Sequence, residues 1–290
     1  MEVRVSFRSE VERVLADPGF EVPRAPAGDR GLAWLRSTVS RFVNGDAHAR
    51  RRALVEAELE GLEPAALRRE ARLRAEALLE AAAGRIEVMA EVARPVPLAT
   101  LGRALGIAEG RLEGAVADTV AVAPAYASGT SNEGVDEAAD RLRDVLDRGG
   151  PEESAAAIAV LVQACEATAA LIGGAIVVAA ERPELRGRVD ALLEWTLLHA
   201  SPVRLMRRVS PRGEQVTLDL EAAARDCRPG DPPLAFGSGV RPCPASSRAR
   251  ALAAGVLDAL LPRCAADPHR LEWADLPALR LPERIELIVG

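Results

Sequence analysis

The stretch LAFGSGVRPCP, residues 234–244, precedes an amphipathic segment running from Ala245 to about Leu261. Gly237 and Gly239 stand two apart, and glycine turns the backbone through positive φ at no steric cost. They predict a loop whose backbone can approach a flat ligand. Pro244 suits the first position of a helix, where a missing N–H leaves nothing unsatisfied. That places Cys243 at the N-cap, where unpaired backbone N–H groups and the helix dipole favour a thiolate. An anionic sulfur behind a Gly-x-Gly loop is the donor an iron porphyrin takes as its proximal ligand. Arg241, two residues earlier, is placed to offer its guanidinium to a propionate.

The rest of the chain sets the frame for this loop. Its 290 residues are 49% hydrophobic and 28% charged, the composition of a globular protein with a sizeable core. All 37 basic residues are arginine. The absence of lysine excludes Schiff-base chemistry, pyridoxal-phosphate anchoring and a phosphate loop that needs its lysine. Aromatics at 3% and a net charge of −6 argue against a nucleic-acid platform or bulk attraction to anionic lipid. Cys165, Cys227, Cys243 and Cys264 lie 62, 16 and 21 positions apart, with no zinc-like spacing. The charged N-terminal residues lack a secretory pattern, so free thiols in a reducing cytoplasm are expected.

Apolar residues recur at three and four positions over most of the first two hundred residues, which is a helical pattern. Helices are predicted over 9–15, 31–42, 47–59, 64–82, 97–105, 132–147, 154–180 and 184–198. Strands are predicted over 203–209, 215–218 and 284–289. The chain reads as mainly α with a small β portion. Residues 154–180 are apolar on nearly every face and would extend about 40 Å as a helix. Gln163 and Glu166 leave uninterrupted apolar runs shorter than the roughly 20 residues a bilayer asks for. The segment is read as the central helix of a large core, with no membrane. A carboxylate there is costly unless solvated or paired, so Glu166 points to an internal wet cavity.

The loop resembles the heme loop of the cytochrome P-450 superfamily, Phe-Gly-x-Gly-x-(His/Arg)-x-Cys-x-Gly. Phe236, Gly237, Gly239, Arg241 and Cys243 match, and Ala245 replaces the last glycine. Asn44 to Val55 is similar to the family's C-helix, where His48 and Arg52 would reach the heme propionates. Arg94-Pro95 resembles the entry to a following helix, and Gln163 to Gly173 resembles the I-helix over the distal heme face. Ser201-Pro202-Val203 with Arg207-Arg208-Val209 is similar to the strand after the K-helix, which donates a further propionate arginine. Residues 271–273 and 279–289 resemble the closing strands. The resemblance implies a trimmed cytochrome P-450-like fold, a single heme-thiolate domain over residues 1–290, and heme b (iron protoporphyrin IX) on Cys243.

Three departures bear on function. Members carry an acid followed by a threonine on the I-helix to relay protons, whereas here Ala167 follows Glu166. Thr168 is one residue further, about 100° around the helix. The Glu-x-x-Arg pair that braces the proximal side is replaced by Trp195 and Leu198. The chain is also short, with residues 106–150 standing for several roof helices. The resemblance implies a monooxygenase acting on a small hydrophobic molecule, with Glu166 at the distal face and electrons from a ferredoxin-type partner. Arg50, Arg51, Arg68 and Arg69 offer either a docking face for an acidic carrier or a solvated surface. The alternative is a degenerate heme-binding or heme-free relative that partners a full-length oxygenase or another biosynthetic enzyme.

Overall fold

The computed structural model describes residues 2–228 and 230–290. In chain order the elements are β1 (Glu2–Val5), α1 (Arg8–Ala16), α2 (Gly31–Thr38), α3 (Gly45–Leu59), α4 (Pro64–Ala81), β2 (Arg85–Glu87), α5 (Pro95–Ala104), α6 (Glu109–Ser128), α7 (Glu133–Val145), α8 (Pro151–Glu181), α9 (Val189–His199), β3 (Leu205–Val209), β4 (Gln215–Asp219), α10 (Leu220–Ala223), α11 (Ser246–Arg263), β5 (Cys264–Trp273) and β6 (Pro282–Val289). The fold is mainly α with a small β portion. Two compact units share the chain. The first holds the residues up to Glu21, Glu63–Val96 and Ala167–Gly290, and the second holds Val22–Leu62 and Pro97–Glu166.

In the first unit, β4 pairs parallel with β1 and antiparallel with β3, while β6 pairs antiparallel with β2 and β5. Val11, Val14 and Leu15, at the three-and-four spacing of one helix face, are buried against Val216, Leu218, Leu220 and Leu234. Each large side chain so buried contributes roughly 1.5–3 kcal/mol. This cluster seats α1 on the β3–β4 side of the unit. Elsewhere α4 crosses α11 at Gly255, where a Cβ would come within 2.2 Å of the Arg68 carbonyl oxygen. The Arg68 guanidinium ties the crossing to Asp258 at 2.7 Å and to Asp190 at 2.9 Å.

In the second unit, α6 and α7 pack on each other and on α2. Asn132 caps α7 by accepting the Val135 N–H at 3.1 Å, as its residue type favours. Arg148 binds Glu58 at 3.0 Å and the Leu105 carbonyl at 2.7 Å. The α6 helix was not among the predicted elements. Its alanines and small polar residues leave little contrast between faces, and Pro124 sits inside it.

Helix α8 begins in the second unit and ends in the first. It is the one helix among the described residues long and apolar enough to cross a membrane, and 78% of its most apolar window is buried inside the protein. That burial agrees with its reading as a core helix. The helix predicted over 184–198 is interrupted: a 3-10 turn covers Pro183–Leu185 and α9 starts at Val189, beyond Gly187. Strands β1 and β2 were not predicted, nor was the first part of β5.

Candidate functional site

The loop from Leu234 to Pro244 lies in the first unit and is built from backbone restraints. A 3-10 turn over Leu234–Phe236 ends at Gly237, whose N–H donates to the Leu234 carbonyl at 2.8 Å. Gly237 has φ +68° and Gly239 φ +65°, the left-handed backbone that glycine tolerates. The Cys243 N–H then donates to the Phe236 carbonyl at 2.7 Å and closes the loop on itself. Gly239 uses its missing side chain against protein. A Cβ there would lie 2.2 Å from the Leu15 carbonyl oxygen, and the Val240 N–H donates to that same oxygen at 3.1 Å.

The expected N-cap position of Cys243 is corrected by this geometry. The α11 N-cap is Ala245 and the helix starts at Ser246. Because the Cys243 N–H is drawn back to Phe236, a turn over Pro244 and Ala245 intervenes before the helical bonds begin, the first running from the Ala249 N–H to the Ala245 carbonyl at 2.8 Å. The sulfur therefore precedes the helix, and the loop, more than the helix terminus, sets its place. Cys243 and Arg241 are both half-buried, and none of the four cysteines forms a disulfide.

Strand β3 separates the two candidate arginines by its pleat. Arg207 is exposed, whereas Arg208 is 9% exposed and donates to the Arg207 carbonyl at 2.9 Å. Successive strand residues point to opposite faces, so Arg208 shares a face with Met206. The Met206 methyl lies 3.9 Å from where a Gly237 Cβ would stand. Arg208 is thus on the loop side of the strand.

His48 and Arg52 belong to the second unit. They lie four apart on α3 and are both half-buried, and Arg52 meets Glu56 at 2.7 Å. Arg50 and Arg51, also on α3, both reach Glu152, at 2.8 and 2.9 Å. Arg51 further donates to the Ser37 carbonyl at 2.7 Å. With Arg68 held by two aspartates, three of the four arginines suggested for a docking face are engaged in ion pairs; Arg69 is exposed.

Glu166 occupies a break in the burial of α8. Val160, Leu161, Val162, Cys165, Thr168 and Ala169 are buried, while Gln163, Ala164, Glu166 and Ala167 are half-buried. Positions 163, 166 and 167 fall on one face at helical spacing, so a narrow accessible stripe crosses the middle of an apolar helix. Thr168 is off that stripe and 2% exposed. It does not replace an alcohol at position 167.

On α9, the positions reserved for the bracing pair hold Trp195 and Leu198. The Arg182 guanidinium lies 4.9 Å over the Trp195 ring, and the His199 ring is 4.9 Å from it. Glu194 is exposed. Among the described residues no three His, Cys, Asp or Glu side chains cluster as metal ligands. A half-buried thiol on the residue whose N–H closes the loop, with Arg241 before it and Arg208 on the loop side of β3, fits an iron porphyrin with its carboxylates. Such a site needs one thiolate and basic partners, and no cluster of protein ligands.

No family model matches this chain, and no curated protein matches it. Solved structures do. It is similar to the P-450 enzyme BioI, solved with an acyl carrier protein carrying hexadec-9Z-enoic acid, at 21% identity and a TM-score of 0.84 over 99% of this chain and 92% of that one. It is similar to substrate-free CYP109E1 from Bacillus megaterium, at 19% identity and 0.83 over 99% and 92%. Cytochrome P-450 CYP109Q5 from Chondromyces apiculatus matches at 22% identity and 0.78 over 99% and 89%. The likeness runs through nearly the full length of each chain.

Proposed function

We propose, because the chain has the cytochrome P-450 fold, that it works as one heme-thiolate domain and as a monooxygenase on a small hydrophobic molecule. The observation that carries this reading is the closure of the loop by the Cys243 N–H on the Phe236 carbonyl, with both glycines at positive φ. That closure fixes the backbone of the residue that carries the thiol. Bound there, a heme supplies dioxygen activation, with electron density pushed from the thiolate toward O–O cleavage.

The chain's own residues have distinct tasks in this reading. Cys243 provides the sulfur ligand, and Arg241 and Arg208 neutralise the propionates. Arg207, exposed on the opposite face of β3, is the weaker candidate of its pair. Glu166, on the accessible stripe of α8, holds a proton for transfer through water or a substrate hydroxyl, since Ala167 offers no alcohol. The apolar residues of α8 around that stripe favour a hydrophobic substrate. Electrons come from a ferredoxin-type protein, as the chain resembles no flavin or nicotinamide site. Turnover with a ferredoxin, its reductase and ¹⁸O₂ tests the reading. One labelled oxygen atom in the product supports it, and heme loading with no incorporation across a panel of apolar substrates sinks it.

A further inference from the structure

Helix α1 holds the Cys243 loop at one end and the chain that leads into it at the other. At its C-terminal end, the Leu15 carbonyl is one of the last-turn oxygens that a helix leaves without an internal partner. It is taken by the Val240 N–H, with Gly239 packed on it. At its N-terminal end stands Arg8, only 7% exposed although it opens the helix. Its guanidinium donates to the Pro232 carbonyl at 2.7 Å and pairs with Glu12 at 2.9 Å and with Asp231 at 3.3 Å. Pro232 lies two residues before the 3-10 turn that starts the loop. Asp231 in turn accepts the Arg228 N–H at 2.8 Å, which fixes the strand of chain entering that turn.

A buried arginine is retained only when its charge and donors are matched, and here both partners on the far side belong to the loop's approach. Arg8 also lines a shallow cleft with Leu197, Leu198, Leu220 and Leu234. Leu198 is the α9 residue that stands where the resemblance expects the arginine of the bracing pair. A guanidinium from α1 thus lines the same cleft as Leu198.

We propose that Arg8 is a positioning residue: with the Leu15 carbonyl it makes α1 the clamp that fixes the Cys243 loop, in place of the bracing pair absent from α9. The consequence for heme ligation rests on the functional reading above; the clamp itself does not.

The test uses the full chain in a Cys227→Ser background, in which Cys165 and Cys264 are buried, with Cys243→Ser as the blank. Thiol labelling of Cys243 and hydrogen exchange at the Val240 and Cys243 amides are read without heme. Arg8→Ala is expected to raise Cys243 labelling and both exchange rates by at least about tenfold, the loss of one charge-assisted hydrogen bond. The amides of Val256 and Leu257 in α11 stay protected, a pattern that general destabilisation would not give. Arg8→Lys restores labelling to within about threefold of the parent, because the charge toward Asp231 is kept. Should Arg8→Ala fail to fold, Asp231→Asn, which removes one partner at the half-exposed end, is expected to give the same selective loosening. Unchanged labelling and exchange in a folded Arg8→Ala, or in Asp231→Asn where Arg8→Ala does not fold, would overturn the clamp, as would equal loosening of α11. On heme loading, Arg8→Ala is expected to shift the reduced carbonyl spectrum from the thiolate form toward the non-thiolate form. If the parent takes up no heme, the functional reading fails while the labelling result still decides the clamp.

Discussion

Gly239 lies directly against the Leu15 carbonyl, with 2.2 Å between that oxygen and the position a Cβ would take. Two costs therefore meet in Gly239→Ala. The left-handed backbone alone costs a non-glycine residue roughly 1–2 kcal/mol, and the clash is with backbone that cannot rotate away. A loss of more than about 3 kcal/mol is expected, read from the midpoint of denaturant unfolding. Gly84→Ala is the control. Its φ is +82° but nothing lies within 4 Å, so it should lose only the roughly 1–2 kcal/mol of the backbone term. Equal losses at the two sites would show that the loop relaxes away from α1.

Glu152 is held well down, to about 2, chiefly by the Arg50 hydrogen bond, against opposing burial and with Arg51 adding to the effect. A carboxyl depressed on folding adds stability above its unfolded pKa and loses it as pH falls through the folded value. The unfolding free energy of the parent should therefore exceed that of Glu152→Gln above about pH 4.5. The gap should shrink toward zero as pH falls to about 2. A gap that stays constant from pH 6 to pH 2 would assign the loss to packing.

Tyr126 is 2% exposed, and its hydroxyl has no hydrogen-bond partner among the described residues. Burial drives its ionisation far above the usual phenol range. The ring packs on Phe42 with centroids 5.2 Å apart, and Tyr126→Phe keeps that contact while removing the orphaned group. The variant should match the parent or gain up to about 1 kcal/mol. A loss of more than about 1 kcal/mol would show that the hydroxyl is satisfied in solution.

Much of this arrangement was legible in the sequence, for reasons that differ by element. The α8 helix followed from an apolar run with two polar interruptions, and those interruptions mark its accessible stripe. The positive φ of Gly237 and Gly239 followed from residue type, because no other residue fits a double left-handed turn so cheaply. The α6 helix was hidden because its small residues carry almost no periodic contrast. Arg8 was hidden for another reason: its main partner is 224 positions away, and no local pattern reports a contact at that separation. The offset of Cys243 from the helix start was likewise a tertiary matter, decided by its bond to Phe236.

Ala167→Thr places an alcohol on the accessible stripe beside Glu166. If proton delivery limits the proposed reaction, product formed per electron should rise by at least about tenfold, toward the range of a positioned proton donor. No gain in a heme-loaded variant would mean that water or a substrate hydroxyl already carries the proton.

The proposed chemistry depends on Cys243 as the ligand of a porphyrin iron. The direct measurement is the Soret spectrum of the reduced, heme-loaded protein under carbon monoxide, compared with that of Cys243→Ala. A red-shifted thiolate band in the parent that vanishes in the variant is the predicted result. The same band in both proteins, or a parent that takes up no heme, would contradict it.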